Sequence, residues 1–360
     1  LCLSISDEGT VPLSPDQNFD LSNATTVGVL LLPWIKAELN SNVEFAIAPE
    51  TITGGHETLT YGFQLANAPD ELSGPLILRL FRQGRDNRQG KKEAAFQNAL
   101  AALGYPVPRV FLIAEPPGLA GQCFNIMARV PGHALGEHFV APDADFMAEI
   151  PRLAHIQARL HTIPTQPVQD ELSFSGVSTE WYTIWNHYSR LDKYVEQPGL
   201  THLAPTVDWL NENRPSERDT LVVCHGDFQP FNVMMDDGKV SGVIDWPGGA
   251  FGDPEYDVAV TVTLMGIIAG AIMPEARPLL TGFTDAYAAA YRERGELDEE
   301  RLQYYQVLRT FKGYVSGLAA ILPGIDPDLL PRDAYPWSDP WAQERGAQRI
   351  SEITGIAISP

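Results

Sequence analysis

The octet "HGDFQPFN", residues 225–232, lies between two short apolar runs, "TLVVC" and "VMM", that read as strands. Neither a core nor a turn requires an Asp and an Asn five positions apart behind a His-Gly pair. Chemistry supplies a reason. A carboxylate such as Asp227 can accept the proton of an attacking hydroxyl. A neutral amide oxygen such as that of Asn232 can ligate Mg²⁺ without adding charge. The octet alone is only moderately specific, because Asp and Asn after a strand are also ordinary turn residues.

A second carboxylate sharpens the reading. Asp245 follows Asn232 by thirteen residues, at the end of the strand-like "VSGVID" and beyond a hairpin turned by Asp237 and Gly238. The spacing from His225 through Asp227 to Asn232 is that of a kinase catalytic loop, and Asp245 stands where a kinase-like fold carries its principal magnesium carboxylate. A strand-end Asp is common in loops. Its position one tight hairpin past the octet makes coincidence a poor explanation.

The stretch "VVCHGDFQPFNVMMDDGKVSGVIDWPGGAFGDPEYDVA" resembles the signature region of the aminoglycoside phosphotransferase and choline kinase superfamily. The resemblance runs over residues 26–320, through "GG" at 54–55, "ILR", "KKEAAF", "FNIMARVPGHAL" and "ARLH" at 158–161. The arrangement of "GGHETLTYGF", "PVPRVF" and "MARVPG" is similar to the branch found in acyl-CoA-dehydrogenase-linked kinase domains.

The resemblance implies an α+β, bilobal, protein-kinase-like fold with a sheet-rich N-terminal lobe and a helical C-terminal lobe. It implies an ATP-dependent (or GTP-dependent) O-phosphotransferase acting on a small-molecule hydroxyl with Mg²⁺. Asp227 would orient or deprotonate the acceptor, and Asn232 and Asp245 would hold the metal. His225 and Asp257 would brace the loop. Gly54, Gly55, Arg79, Glu93 and the hinge residue Met127 would serve the nucleotide. Arg79 stands where protein kinases use Lys; it keeps the charge and adds a bidentate fork. The competing readings are a nucleotidyl-transfer or hydrolysis variant and a pseudokinase-type binding protein. The intact Asp227, Asn232 and Asp245 favour the enzyme.

These residues need elements to position them. Residues 1–23 read as a loose polar tail, 24–130 as the nucleotide lobe and 131–360 as the helical lobe with catalytic loop and acceptor site, the boundary falling near residues 127–131. The pattern predicts a helix over 26–39, strand–turn–strand over 51–65 and a strand over 75–81 with Arg79, Ile77 and Phe81 on one side. It predicts a helix over 91–103 and strands at "PVPRVFLI" and "CFNIMARV". Helices follow at 148–163, 180–195 and 201–213, with strand-like "LVVC" and 232–245 before a helical remainder from Tyr256. Only seven residues separate Asp245 from Asp253, too few for a long phosphorylatable activation loop.

Composition bounds the partners. The chain has 25 basic and 46 acidic residues, net −21, which argues against nucleic-acid binding. Three unpaired cysteines point to reduced thiols and a cytoplasmic setting, and neither His133/His138 nor His155/His161 is spaced as a zinc site. No signal peptide is expected at the start. The apolar run 258–273 is short for a bilayer and reads as a core helix, so no membrane is expected. A monomer or homodimer is expected. From Asn125 onward there are 17 basic and 33 acidic residues, and 180–195 carries Trp181, Tyr182, Trp185 and Tyr188. Together these predict a neutral or cationic acceptor with apolar surface.

Overall fold

A computed structural model describes residues 19–52, 58–81, 87–140, 145–178, 182–184, 191–280, 282–326 and 336–358. Their contacts form two units, one comprising residues through Pro131 with Glu171–Val177, the other Gly132–Asp170 with the residues from Ser178 on.

The first unit begins with helix α1 (Ala24–Leu39). The Asn23 side chain accepts the N–H groups of Thr25 and Thr26, and Asn40 stops the helix in a left-handed conformation (φ 45°). Strands β1 (Glu44–Ile52), β2 (Thr58–Ala66) and β3 (Pro75–Phe81) precede helix α2 (Arg88–Ala102), and β4 (Val110–Leu119) and β5 (Gln122–Ala128) follow it. The five strands form one antiparallel sheet in the order β1-β2-β3-β5-β4. Strand alternation sorts β3 between two faces. Leu76, Leu78 and Leu80 join Tyr61, Phe63, Phe124 and the buried stripe of α1 in the main core. Ile77 faces the other way, into a smaller cluster with Ala94 of α2, Val110 and Met127.

The second unit opens with β6 (His133–Ala134), α3 (Leu135–Val140) and α4 (Phe146–His161), and α5 (Gln166–Phe174) comes next along the chain. After α6 (Leu191–Val195) and α7 (Ala204–Glu212) come β7 (Val222–Cys224), β8 (Val233–Asp236), β9 (Lys239–Val243) and β10 (Ala250–Gly252). Strands β6, β8 and β9 pair as a small sheet, and β7 pairs with β10. Helices α8 (Pro254–Thr263), α9 (Ala269–Ile272), α10 (Phe283–Arg292), α11 (Glu299–Ile321) and α12 (Pro340–Thr354) complete the unit. The hairpin between β8 and β9 turns on Asp237 (φ 47°) and Gly238 (φ 72°), the two positive dihedrals that match strand twist. The apolar run seen in the sequence is α8, a π turn (Leu264–Ile268) and α9. By length and composition Pro254–Ile272 could cross a membrane, but 83% of its most apolar window is buried inside the protein.

One expectation needs correction. The helix predicted over 180–195 is α-helical only at Leu191–Val195 among its described residues. At 182–184 the chain bends at Tyr182, bridges at Thr183 and enters a 3-10 turn at Ile184: Phe251 N–H donates to Tyr182 O (2.8 Å), and Thr183 bridges Phe251. Pairing with β10 wins there, and the β-favouring "WYTI" does not resist it. Strands β6 and β10, two and three residues long, are too short to show a period in the sequence.

Candidate active site

The octet runs from the end of β7 to the start of β8. His225, fully buried, donates from Nε2 to Ile244 O (3.0 Å) and accepts the Asp227 N–H at Nδ1 (3.2 Å). One imidazole thus ties the loop to the strand end that carries Asp245. Burial holds the His225 pKa below its ordinary value, which keeps the neutral tautomer that both bonds require. Its ring packs 4.4 Å, centroid to centroid, from buried Trp246. Gly226 takes φ 76°, and a Cβ there would come within 2.3 Å of Gly248 O. Only glycine fits that position.

Asp257, on α8, holds the loop from below. Its Oδ1 accepts the Gly226 N–H (2.7 Å), and its Oδ2 accepts from Gln157 Nε2 (2.9 Å) and lies 3.0 Å from His161 Nε2. Gln157 in turn accepts from the Tyr287 hydroxyl (2.8 Å), and His161 Nδ1 is 2.6 Å from the Tyr291 hydroxyl. Burial by itself would push the Asp257 pKa up. The hydrogen bond and charge of His161, with the Gly226 N–H, outweigh it and hold the carboxyl below the usual range. A fully buried carboxylate is thereby kept ionised beneath the loop.

Asp227 is half-buried, and Asn232 is nearly fully so. Asn232 Nδ2 donates to Asp227 O (2.9 Å) and Oδ2 (3.1 Å), and Gln229 Nε2 reaches the same Oδ2 (3.3 Å). The amide's donors are spent on Asp227, so the atom Asn232 has left to offer is Oδ1. Its backbone O accepts the Ile244 N–H (2.9 Å), which sets the octet one residue from Asp245 across the hairpin. Burial, then the charge of Asp245, pushes the Asp227 pKa up to about 6, against the opposing pull of Arg309 and the two amides. Asp245 sits at φ 67°, a left-handed conformation that costs a non-glycine residue on the order of 1 kcal/mol and clusters at functional sites. An amide oxygen and a carboxylate suit Mg²⁺, which takes few protein ligands and leaves positions for phosphate oxygens. A cage of three or more His, Cys, Asp or Glu is absent among the described residues, as such a shared site allows.

In the first unit Arg79 and Glu93 meet: Arg79 Nη1 lies 3.0 Å from Glu93 Oε2, with the Glu93 side chain fully buried. Arg79 Nε also donates to Thr58 Oγ1 (3.4 Å), and Gln89 Nε2 donates to Glu93 Oε1 (3.1 Å). Met127 lies on β5 with its side chain buried under α2, where Sδ accepts from Gln97 Nε2 (3.8 Å). Gly54 and Gly55 lie outside the described residues, as do Trp181, Trp185 and Tyr188. Tyr182 is buried edge-on against Phe251 and is core. His155 bonds Glu293 (3.0 Å), and His133 and His138 face each other at 2.8 Å. Cys123 and Cys224 are free and buried.

Four residues around the loop had no role in the sequence reading: Gln157, His161, Gln229 and Arg309. His161 and Gln229 do fall inside quoted motifs, "ARLH" and the octet; the other two carry no local signal. A cavity of about 370 Å³ lined by Gly266, Arg277, Thr284, Trp341 and Arg349 lies in the second unit and includes none of the residues of this site.

The model of the phosphotransferase enzyme family matches residues 50–305. An aminoglycoside 3'-phosphotransferase of Streptomyces fradiae is 29% identical over 214 residues, 58% of this chain and 74% of that protein. Acyl-CoA dehydrogenase family member 11 of Pongo abelii is 25% identical over 174 residues, 47% of this chain but only 22% of that much longer protein. Among solved structures, a Ralstonia eutropha protein assigned to the aminoglycoside phosphotransferases superposes with a TM-score of 0.61 at 18% identity, covering 90% of this chain and 98% of its own. Aminoglycoside phosphotransferase APH(4)-Ia, in a ternary complex with ADP and hygromycin B, gives 0.55 at 17% identity, covering 91% and 99%. The α+β, protein-kinase-like fold is shared with these structures.

Proposed function

The chain belongs to the phosphotransferase enzyme family, a small-molecule phosphotransferase, and we propose that it moves the γ-phosphoryl group of ATP (or GTP) to a hydroxyl of its acceptor. One observation carries the proposal. Asp227, half-buried and raised to about 6, is clamped by Asn232 within the charge field of Asp245. Its carboxylate is a stronger base than an exposed Asp and is still ionised at neutral pH.

Asp227 accepts the hydroxyl proton as the acceptor oxygen bonds to the γ-phosphorus. The bond from that phosphorus to the β–γ bridging oxygen breaks, and the nucleoside diphosphate leaves with the electron pair. Asn232 Oδ1 and Asp245 would hold Mg²⁺, which when bound offsets the charge of the nucleotide phosphates. Asn232 keeps the Asp227 carboxylate aimed, and His225 and Asp257 keep the loop backbone in place. Most of the catalysis is positioning. Arg79, held by Glu93, is a phosphate-binding group on β3. The buried free thiols of Cys123 and Cys224 suit a reducing, cytoplasmic setting.

The test is acceptor-dependent ADP release from Mg-ATP across a panel of hydroxyl compounds, repeated with Asp227→Asn. Transfer should occur in the parent and vanish in the variant while nucleotide binding persists. Nucleotide binding with no transfer to any acceptor would instead support a pseudokinase.

A further inference from the structure

A cation that the transfer step does not use bears on the Asp227 carboxylate. On α11, Arg301, Tyr305 and Arg309 follow at intervals of four and share one face of the helix. The first two anchor that face, since Arg301 Nη1 (2.5 Å) and the Tyr305 hydroxyl (2.8 Å) both donate to Asp253 Oδ2. Asp253 follows β10 directly, and β10 pairs with β7, whose last residue leads into the octet. Arg309 is carried one turn farther along the same face, where its charge acts on the Asp227 carboxylate.

Arg309 nevertheless does not pair with Asp227, whose hydrogen bonds come from Gln229 and Asn232. Among the described residues it forms no hydrogen bond or ion pair, and its Nε is sealed from solvent with no acceptor. Other arginines of the unit are matched to carboxylates, Arg218 to Glu255, Arg292 to Glu299 and Arg301 to Asp253. A chain with 46 acidic residues has no shortage of partners.

We propose that Arg309 binds an anionic group of the acceptor, so that the hydroxyl to be phosphorylated belongs to a molecule that also carries a carboxylate or a phosphate ester. The inference rests on Asp227 facing the acceptor, as proposed above. A guanidinium fork with no internal acceptor matches a planar carboxylate or a phosphate bidentately. The acidity of the chain, from which a neutral or cationic acceptor was expected, is an average over distant surface charges that salt screens beyond about 8 Å. Arg309 is near enough for its charge to act on the Asp227 carboxylate.

The experiment uses the full chain with Mg-ATP and matched alcohols. Glycerate, 4-hydroxybutyrate and glycerol 3-phosphate are compared with the corresponding amides or uncharged alcohols, and kanamycin serves as a cationic polyol. At least one anionic alcohol should be phosphorylated and lose about tenfold or more in kcat/KM when the anion is removed; the carboxylate and phosphate arms tell the two anions apart. Arg309→Ala should raise the acceptor KM about tenfold with the nucleotide KM held within about twofold, and Arg309→Lys should recover part. Thermal shifts by the same alcohols in the presence of AMP-PNP read binding without turnover, and melts without ligand show that each variant folds. Anionic alcohols that stabilise parent and Arg309→Ala equally, or that stabilise neither, overturn the proposal. So does preference for uncharged or cationic alcohols, which leaves the phosphotransferase reading standing. An effect confined to nucleotide KM assigns Arg309 to the triphosphate and overturns it as well. If the phosphotransferase reading itself is wrong, the parent will phosphorylate none of the alcohols, kanamycin included, and parent-like turnover in Asp227→Asn would remove Asp227 from the base role.

Discussion

At the scale of single residues, the site trades stability for reactivity. In the unfolded chain Asp227 ionises near 3.8, and in the fold near 6, so the folded state holds its proton more tightly. Stability contributed by that proton is full below the lower value and is lost as pH rises through the upper one. Asp227→Asn, neutral at every pH, should therefore melt higher than the parent at pH 7.5, by roughly 1–2 kcal/mol, and lose that advantage by about pH 4. The same variant should lose at least about 10²–10⁴-fold in phosphoryl transfer. Paired melts and rates would check both, and a variant that is inactive yet destabilised at pH 7.5 would contradict the assigned strain. At Arg79 the ion pair with Glu93 poses a separate question. Arg79→Ala should weaken nucleotide use, and Arg79→Lys should keep part of it, because a point charge replaces a fork. Nucleotide KM values identical in all three proteins would remove Arg79 from the phosphate role.

At the scale of elements, the loop works because two backbones approach closely and a buried carboxylate holds one of them. Gly226 passes against Gly248 while its N–H is taken by Asp257 from α8. Gly226→Ala would force a Cβ against a carbonyl oxygen at a positive φ and should cost about 2 kcal/mol or more, with loss of transfer. Asp257→Ala leaves Gly226 N–H, Gln157 and His161 without their shared acceptor inside the protein. That loss should cost on the order of 3 kcal/mol, readable in chemical denaturation. An Asp257→Ala protein as stable as its parent would show that the Gln157–His161 network is not a support. The π turn after α8 is bridged from α12, where Trp341 Nε1 donates to Ile267 O (3.2 Å) and Arg277 stacks 4.3 Å above the Trp341 ring. This support lies away from the catalytic loop.

For the molecule as a whole, ligand binding should appear as stability. A ligand present at 100 times its dissociation constant adds about 2.7 kcal/mol to whatever binds it folded. Mg-ATP should raise the melting temperature of the parent and of Asp227→Asn, whose metal groups are untouched. The rise should depend on Mg²⁺, be lost in Asp245→Ala and need more Mg²⁺ in Asn232→Ala. Equal Mg-dependent shifts in all four proteins would rule out Asn232 and Asp245 as the metal pair.

The sequence by itself determined what depends on neighbours along the chain. Octet, hairpin and Asp245 are legible because a five-residue spacing and an Asp-Gly turn dictate local geometry whatever surrounds them. The two faces of β3 are legible for the same reason, since alternation alone sends Ile77 and Leu78 to opposite sides of the sheet. What the tertiary structure decided involves partners far apart in sequence. Gln157 and His161 reach Asp257 across 100 and 96 positions, and no spacing rule spans such distances. Thr183 read as α-helical until β10 supplied Phe251 to bridge with. The overall charge of −21 pointed to one kind of acceptor, while folding puts the cation Arg309 within electrostatic reach of Asp227. Net charge is a sum over the whole surface, but a site responds to the few charges that folding places within reach.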